Sequence, residues 1–191
     1  IRHTQLDISK LHYSKPINQQ NVYYSTLEYY DKPCYIQSSK VTVEKIEELQ
    51  KQKYLVVKVD PTDFTFYDCL VKVDDHNLSH THKSSKEWFQ KELPRDILEG
   101  MYRRITTPFK KGNIPHIYLK LPLYKQDIQC KIYDQSNNQL DINTLTKGCV
   151  ITCIIHIKGL KFLKKDYYCD MYISQIKLNQ FSDYSIPDTC L

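Results

Sequence analysis

The chain has 191 residues, with 27 Lys and Arg against 22 Asp and Glu for a net charge of +5, and 16 tyrosines. That length suits one domain burying roughly 70% of its unfolded surface. At 41% hydrophobic and 26% charged residues it is neither a disordered chain nor a collagen-like one. The longest nearly apolar run, residues 150–157 with Thr152 and His156 inside it, falls far short of the ~20 residues that cross a bilayer as a helix. A soluble, intracellular protein with no membrane partner is therefore expected. The 7 cysteines are odd in number and lack the dense spacing of a disulfide scaffold, which points to reduced thiols packing as small hydrophobes.

Residues 22–30 and 34–43 are rich in Tyr, Val, Ile and Thr, as a half-buried pleated surface prefers, and the break at Asp31-Lys32-Pro33 predicts a hairpin between them. Residues 44–52 are polar and predict a short helix or loop, after which 53–59 predict a central strand. Asp60-Pro61-Thr62-Asp63 offers an N-cap, proline at the first helical position and a carboxylate in the first turn. A helix is predicted from there, with Phe64, Tyr67, Val71 and Leu78 on one face, although the alternation Leu70-Val71-Lys72-Val73 permits a strand instead. Ser84 and Glu87 have the spacing of a capping box and predict a new helix start before Trp88-Phe89, where Trp88 would anchor the helical lobe. Pro94 opens a further helix in which Ile97, Leu98, Met101 and Tyr102 recur at helical spacing, ended by Thr106-Thr107-Pro108.

Strands return at 115–123, 127–133, 149–157 and 167–178, with turns at Ser136-Asn137-Asn138 and Lys158-Gly159. No internal repeat and no Pro-, Gly- or Ser-rich linker divides the chain. One α+β domain over residues 1–180 is expected, with a helical insertion at 61–106 and a tail at 181–191.

Lysine outnumbers arginine 23 to 4 and alanine is absent, as AT-rich coding would give. Total lysine therefore says little about ligands, and only clustering carries an argument. The clearest cluster is Arg103, Arg104, Lys110, Lys111, Lys120 and Lys125, a stretch without Asp or Glu that also holds Phe109, Tyr118 and Tyr124. Such cations neutralise phosphates, and adjacent rings are platforms for unpaired bases. An edge strand guarded by lysine against aggregation has the same composition. A second patch, Lys158, Lys161, Lys164 and Lys165 with Phe162, Tyr167 and Tyr168, reads either as a phosphate clamp or as a charged hairpin. In the pairs Tyr23/Tyr24 and Tyr29/Tyr30 one ring of each faces outward, and Tyr24 and Tyr30 are the candidates for stacking.

His76, His80 and His82 lie near Asp74 and Asp75, but no ligand set completes a zinc site, so a polar helix end is the expected role and no metal or cofactor is expected. There is no G-x-S-x-G, and 4 glycines make a backbone phosphate cradle improbable. Glu47-Glu48 and Asp74-Asp75 read as solvated surface rather than acid/base pairs. An enzyme is the least supported class.

The strand 54–59, the helix with Phe66-Tyr67 and Leu70, the run Ser85-Lys86-Glu87-Trp88-Phe89 and the strand pair around Gly148 to Gly159 follow one another in an order that resembles the poxvirus-type single-stranded-DNA-binding proteins of large nucleocytoplasmic DNA viruses. The resemblance covers roughly residues 20–180. It implies an OB-like antiparallel β core that binds single-stranded DNA in viral replication, recombination or repair, in the host cytoplasm or nucleus. The expected role is thus a non-catalytic single-strand binder. Phosphates would be met by Arg103, Arg104, Lys110, Lys111, Lys120 and Lys125, and bases by Tyr24, Tyr30, Tyr118 and Tyr124. RNA is the alternative nucleic acid, and further copies of the chain or replication proteins are the expected protein partners. The competing reading is a structural or protein-interaction component, such as a virion protein, with no nucleic-acid role.

Overall fold

The computed structural model describes residues 1–106 and 114–182. Two 3-10 turns, His3–Gln5 and Ile8–Lys10, lead into β1 (Leu11–Tyr13), β2 (Ile17–Gln19), β3 (Val22–Tyr29) and β4 (Lys32–Gln37). Next come β5 (Val41–Leu49), β6 (Gln52–Val59), α1 (Thr65–Phe89), α2 (Arg95–Met101) and the short β7 (Tyr102–Arg103). Then follow β8 (His116–Lys120), β9 (Leu123–Tyr124), β10 (Asp127–Ile128), β11 (Lys131–Tyr133) and β12 (Gln139–Leu140), and last the long β13 (Val150–Phe162) and β14 (Tyr167–Gln180).

The strand order β13-β5-β6-β8-β14 closes on itself, because β14 also pairs with β13. Its pairings are antiparallel except at the seam, where β8 and β14 run parallel and meet at Tyr172 and Lys120. A five-stranded ring with such a seam has the pairing pattern of an OB barrel. The helices sit between its second and third strands, so the fold is the expected OB-like α+β arrangement. The strand period of two fills the barrel. Leu55, Val57 and Val59 of β6, Ile117 and Leu119 of β8, and Ile151, Cys153, Ile155 and Ile157 of β13 point inward and are buried. Tyr54, Tyr118 and Lys120 alternate with them on the outer face. Cys34, Cys69, Cys149, Cys153 and Cys169 are buried thiols, as expected of small hydrophobes.

Several local expectations are corrected. Residues 44–52 are strand and turn, because β5 continues to Leu49 and a two-residue turn, Gln50–Lys51, returns the chain into β6. Both turn residues have positive φ, as do Tyr30 and Asp31 between β3 and β4. This is the backbone of a type I′ turn, whose twist matches the flanking strands. Asp60 to Asp63 form a separate turn, in which Asp60 accepts from the Thr62 amide at 2.8 Å, and the helix begins only at Thr65, whose amide donates to Asp63 at 3.0 Å. The buried face of α1 includes Tyr67 and Leu78 of the predicted face and widens to Phe66, Leu70, Val73, Asn77, Thr81 and Ser85, while Phe64 and Val71 pack against the core partly buried. Ser84 is interior to that helix and starts nothing. Its neighbour Ser85 instead accepts from the Leu93 amide at 3.2 Å, fixing the link to α2. The predicted strand at 127–133 is divided between β10 and β11, which pair with different partners.

Lys158-Gly159 is not a turn. It is a β-bulge inside β13, at the point where that strand's edge passes from β4 to β3. Gly159 has φ +149°, and a Cβ there would lie 1.9 Å from the Ser25 carbonyl oxygen. Gly159→Ala should therefore destabilise the protein by about 2–4 kcal/mol, combining backbone strain with overpacking. A lowered urea midpoint at unchanged slope is the expected result.

Candidate nucleic-acid interface

The outer face of β6, β8 and β14 is hollowed into a groove of about 560 Å³. β6 contributes Tyr54, β8 contributes Tyr118 and Lys120, and β14 contributes Tyr168 and Tyr172. Arg103 and Arg104 enter from β7 and the residue after it, and Lys161 from β13. Leu49 and Gln50 at the β5–β6 turn, and Leu163 beyond β13, form the walls. In an OB barrel the face of the second and third strands, between the loops joining strands 1 to 2 and 4 to 5, is where oligonucleotides and oligosaccharides bind. The groove occupies that position.

Strand register explains how residues distant in sequence converge. Tyr54 is the cross-strand partner of Lys120, and Lys120 of Tyr172. A second row runs from Arg103 to Tyr168, Lys161 and Tyr24. Rings and cations therefore alternate in both rows. The Lys120 Nζ lies 4.2 Å from the centre of the Tyr168 ring and 5.4 Å from that of Tyr172, and the Arg103 guanidinium carbon lies 4.7 Å from that of Tyr168. Tyr54 and Tyr118 meet edge to face at 6.2 Å. Burial, then the nearby Asp170 carboxylate, pushes the Tyr168 and Tyr172 hydroxyls above their ordinary range, so both rings are neutral phenols at physiological pH.

The cations do different work. Lys120 donates to Asp170 at 2.7 Å, with side-chain exposures of 14% and 5%. Tyr24 also donates to Asp170, at 3.3 Å. This buried pair ties β8 to β14 and to β3, and removing one partner of such a pair leaves an uncompensated charge at a cost of about 3–5 kcal/mol. Arg103 pairs with Asp166 at 3.0 Å but is 52% exposed. An exposed pair contributes below about 1 kcal/mol, so Arg103 can exchange its carboxylate for a phosphate at little cost. Arg104 pairs with Asp75 at 2.9 Å and Glu99 at 3.4 Å, which holds it against both helices.

Asp74, expected at the surface, is fully buried. It accepts from the Tyr102 hydroxyl at 2.8 Å, the Ile105 amide at 3.0 Å, and the Thr106 amide and hydroxyl at 3.2 and 3.0 Å. The reason is the helix period: Asp74 follows Val73 on the inward side of α1, whereas Asp75 points out to Arg104. Burial pushes its carboxyl above the ordinary range against the opposing pull of these donors. Through this nest α1 clamps the segment that carries Arg103 and Arg104 into the groove.

The remaining expected residues lie elsewhere. Lys110 and Lys111 fall outside the described residues, as does Phe109. Tyr124 and Lys125 are exposed in the β9–β10 hairpin, with the ammonium 5.5 Å from the ring centre, and do not line the groove. Tyr30 stands in the β3–β4 turn, edge-on to Tyr29 at 4.8 Å, and Tyr24 is half-buried with its hydroxyl engaged. His76 and His80 stack with Tyr13 at 5.8 and 4.4 Å, and Trp88 packs on Phe162 at 6.0 Å as an anchor of the helices. Tyr54 and Tyr172 are the residues that sequence reasoning missed. Alternation along their strands marks both as candidates for one face, but nothing local distinguishes that face as a site.

Two substitutions separate scaffold from contact. Asp170→Ala should destabilise the fold by about 3–5 kcal/mol, whereas Arg103→Ala should change stability by less than about 1 kcal/mol. Guanidinium unfolding of the two variants measures the difference.

Phage proteins are among the solved structures similar in fold to this chain. The single-stranded DNA-binding protein from bacteriophage Enc34 superposes with a TM-score of 0.50 at 9% identity, over 92% of this chain and 96% of its own. Its complex with single-stranded DNA gives 0.50 at 11%, over 88% and 96%. Protein gp2.5, a single-stranded DNA-binding protein encoded by bacteriophage T7, gives 0.52 at 14%, over 82% and 97%. Likeness at these identities is a likeness of fold. No curated protein matches the sequence. One family does, over residues 39–189, a stretch that opens just before β5 and runs past β14, and the chain belongs to it: the family of unknown function DUF5871.

Proposed function

We propose that the protein is a non-catalytic single-stranded DNA-binding protein that holds the strand in the groove over β6, β8 and β14. The observation that carries this reading is the interleaving of Tyr54, Tyr118, Tyr168 and Tyr172 with Arg103, Lys120 and Lys161 on the ligand face of an OB-type barrel. Ring faces accept any base, and the cations follow the backbone. Lys120 acts from below, fixing the Tyr168 and Tyr172 rings, while Arg103 and Arg104 meet phosphates. Lys51, Lys164 and Lys165 are exposed at the two turns beside the groove and extend its positive rim. Lys110 and Lys111 belong to the same basic stretch and are proposed as further phosphate contacts. The two single-stranded DNA-binding proteins with the same fold support the reading. So does the sequence resemblance, from which a role in replication, recombination or repair inside a host cell is proposed.

Anisotropy titrations of labelled oligothymidylate against duplex DNA and RNA of matched length test this. Preference for the single DNA strand is expected, with the logarithm of affinity falling linearly with the logarithm of salt. The double variant Arg103→Ala, Arg104→Ala should reduce that slope by about 1.4, roughly 0.7 for each single-strand phosphate left without its arginine. Tyr54→Ala and Tyr118→Ala should each cost about 1–3 kcal/mol of binding at nearly unchanged slope. No single-strand binding at low salt overturns the proposal in favour of the protein-interaction reading.

A further inference from the structure

Tyr172 lines two depressions. Besides the groove, it borders a second one of about 420 Å³, shared with His156, Lys158, Gln129 and Pro122. His156 is the cross-strand partner of Tyr172 on one side and of Tyr35 on the other. The row described above is thus longer than the groove. It runs Tyr54, Lys120, Tyr172, His156, Tyr35, across β6, β8, β14, β13 and β4. Four strand spacings make this about 20 Å of outer surface.

Its far end has the same chemistry as the groove. Tyr35 is 41% exposed and stacks face to face on His156, with ring centres 4.3 Å apart and planes 16° from parallel. The Lys158 ammonium stands 5.4 Å from the Tyr172 ring centre, beside the path between the two depressions. Burial, then Lys158, holds the His156 imidazole below its ordinary range, so at neutral pH it offers a ring rather than a charge. An exposed, preformed stack of two flat rings next to a cation presents an aromatic face at no ordering cost to the protein.

We propose that the Tyr35–His156 stack is a second base-stacking subsite, reached across Tyr172 and flanked by Lys158, which carries a single strand out of the groove onto the N-terminal strands. The proposal rests on the single-strand reading of the groove and adds length to it. A short strand fills the groove alone, and a longer one engages both platforms.

The test compares oligothymidylates of about 5 and about 15 nucleotides, within the range of site sizes for one OB fold. The double variant Tyr35→Ala, His156→Ala should bind the longer strand about tenfold or more weakly than the wild type, with the short strand held equally well and the salt slope unchanged. Tyr35→Phe keeps the ring and should bind the long strand as the wild type does. Wild-type affinity of the double variant for the long strand overturns the subsite and leaves the groove reading standing. Equal weakening on both lengths also overturns it, since the pair would then act through the barrel. Failure of the wild type to bind either length instead removes the groove reading on which the subsite rests.

Discussion

The seam between β8 and β14 is where backbone pairing is thinnest, and side chains complete the closure there. Lys120 stands on β8 at the position where the two strands meet, and its ammonium reaches Asp170 on β14 beneath the Tyr168 and Tyr172 rings. Tyr24 adds a hydrogen bond to the same carboxylate from β3. A buried charge needs its partner and its hydrogen bonds, so the set stands or falls as a unit. The same ion pair braces the barrel at its seam and supports two groove rings.

That coupling divides the cations by task. Burial makes Lys120 costly to disturb and unfit to exchange partners, whereas the exposed Arg103 gives up little when it leaves Asp166. Arg104 lies between these extremes, half-held by Asp75 and Glu99. A groove built this way keeps its rings fixed while its exposed cations remain free to change partners, which suits the single strand proposed as its ligand. The Asp74 nest extends the logic to the helices. A carboxylate in the core of the α1 packing spends its acceptor capacity on backbone amides of residues 105 and 106, so that the arginine segment enters the groove at a set angle.

The register of β13 joins the barrel to the N-terminal strands. Its edge pairs first with β5, then β4, then β3, and the glycine bulge at 159 lets β3 approach where a side chain would meet the Ser25 carbonyl. Tyr35 and Tyr24 reach the outer surface through that arrangement. The N-terminal strands are therefore part of the same aromatic and basic surface as the barrel.

Composition, strand alternation and the turn and proline signals around Asp60 and Pro94 were enough to determine an α+β chain with a helical middle, since period and turn chemistry act over a few residues. The basic run from Arg103 and the Lys161–Tyr168 patch were legible for the same reason: their members are close along the chain. The boundaries that failed are those where local signals compete with packing. The polar 44–52 stretch is strand because β6 pairs with it, and the capping box at Ser84 is silent because α1 already has its stripe against the core. Asp74 and Asp75 read alike as neighbours, yet one is buried and one exposed, a difference set by helix phase. Only the tertiary structure brought Tyr54, Lys120, Tyr172, His156 and Tyr35 into one row, because cross-strand register is fixed by barrel closure and bulges, which leave no mark on any short window of sequence.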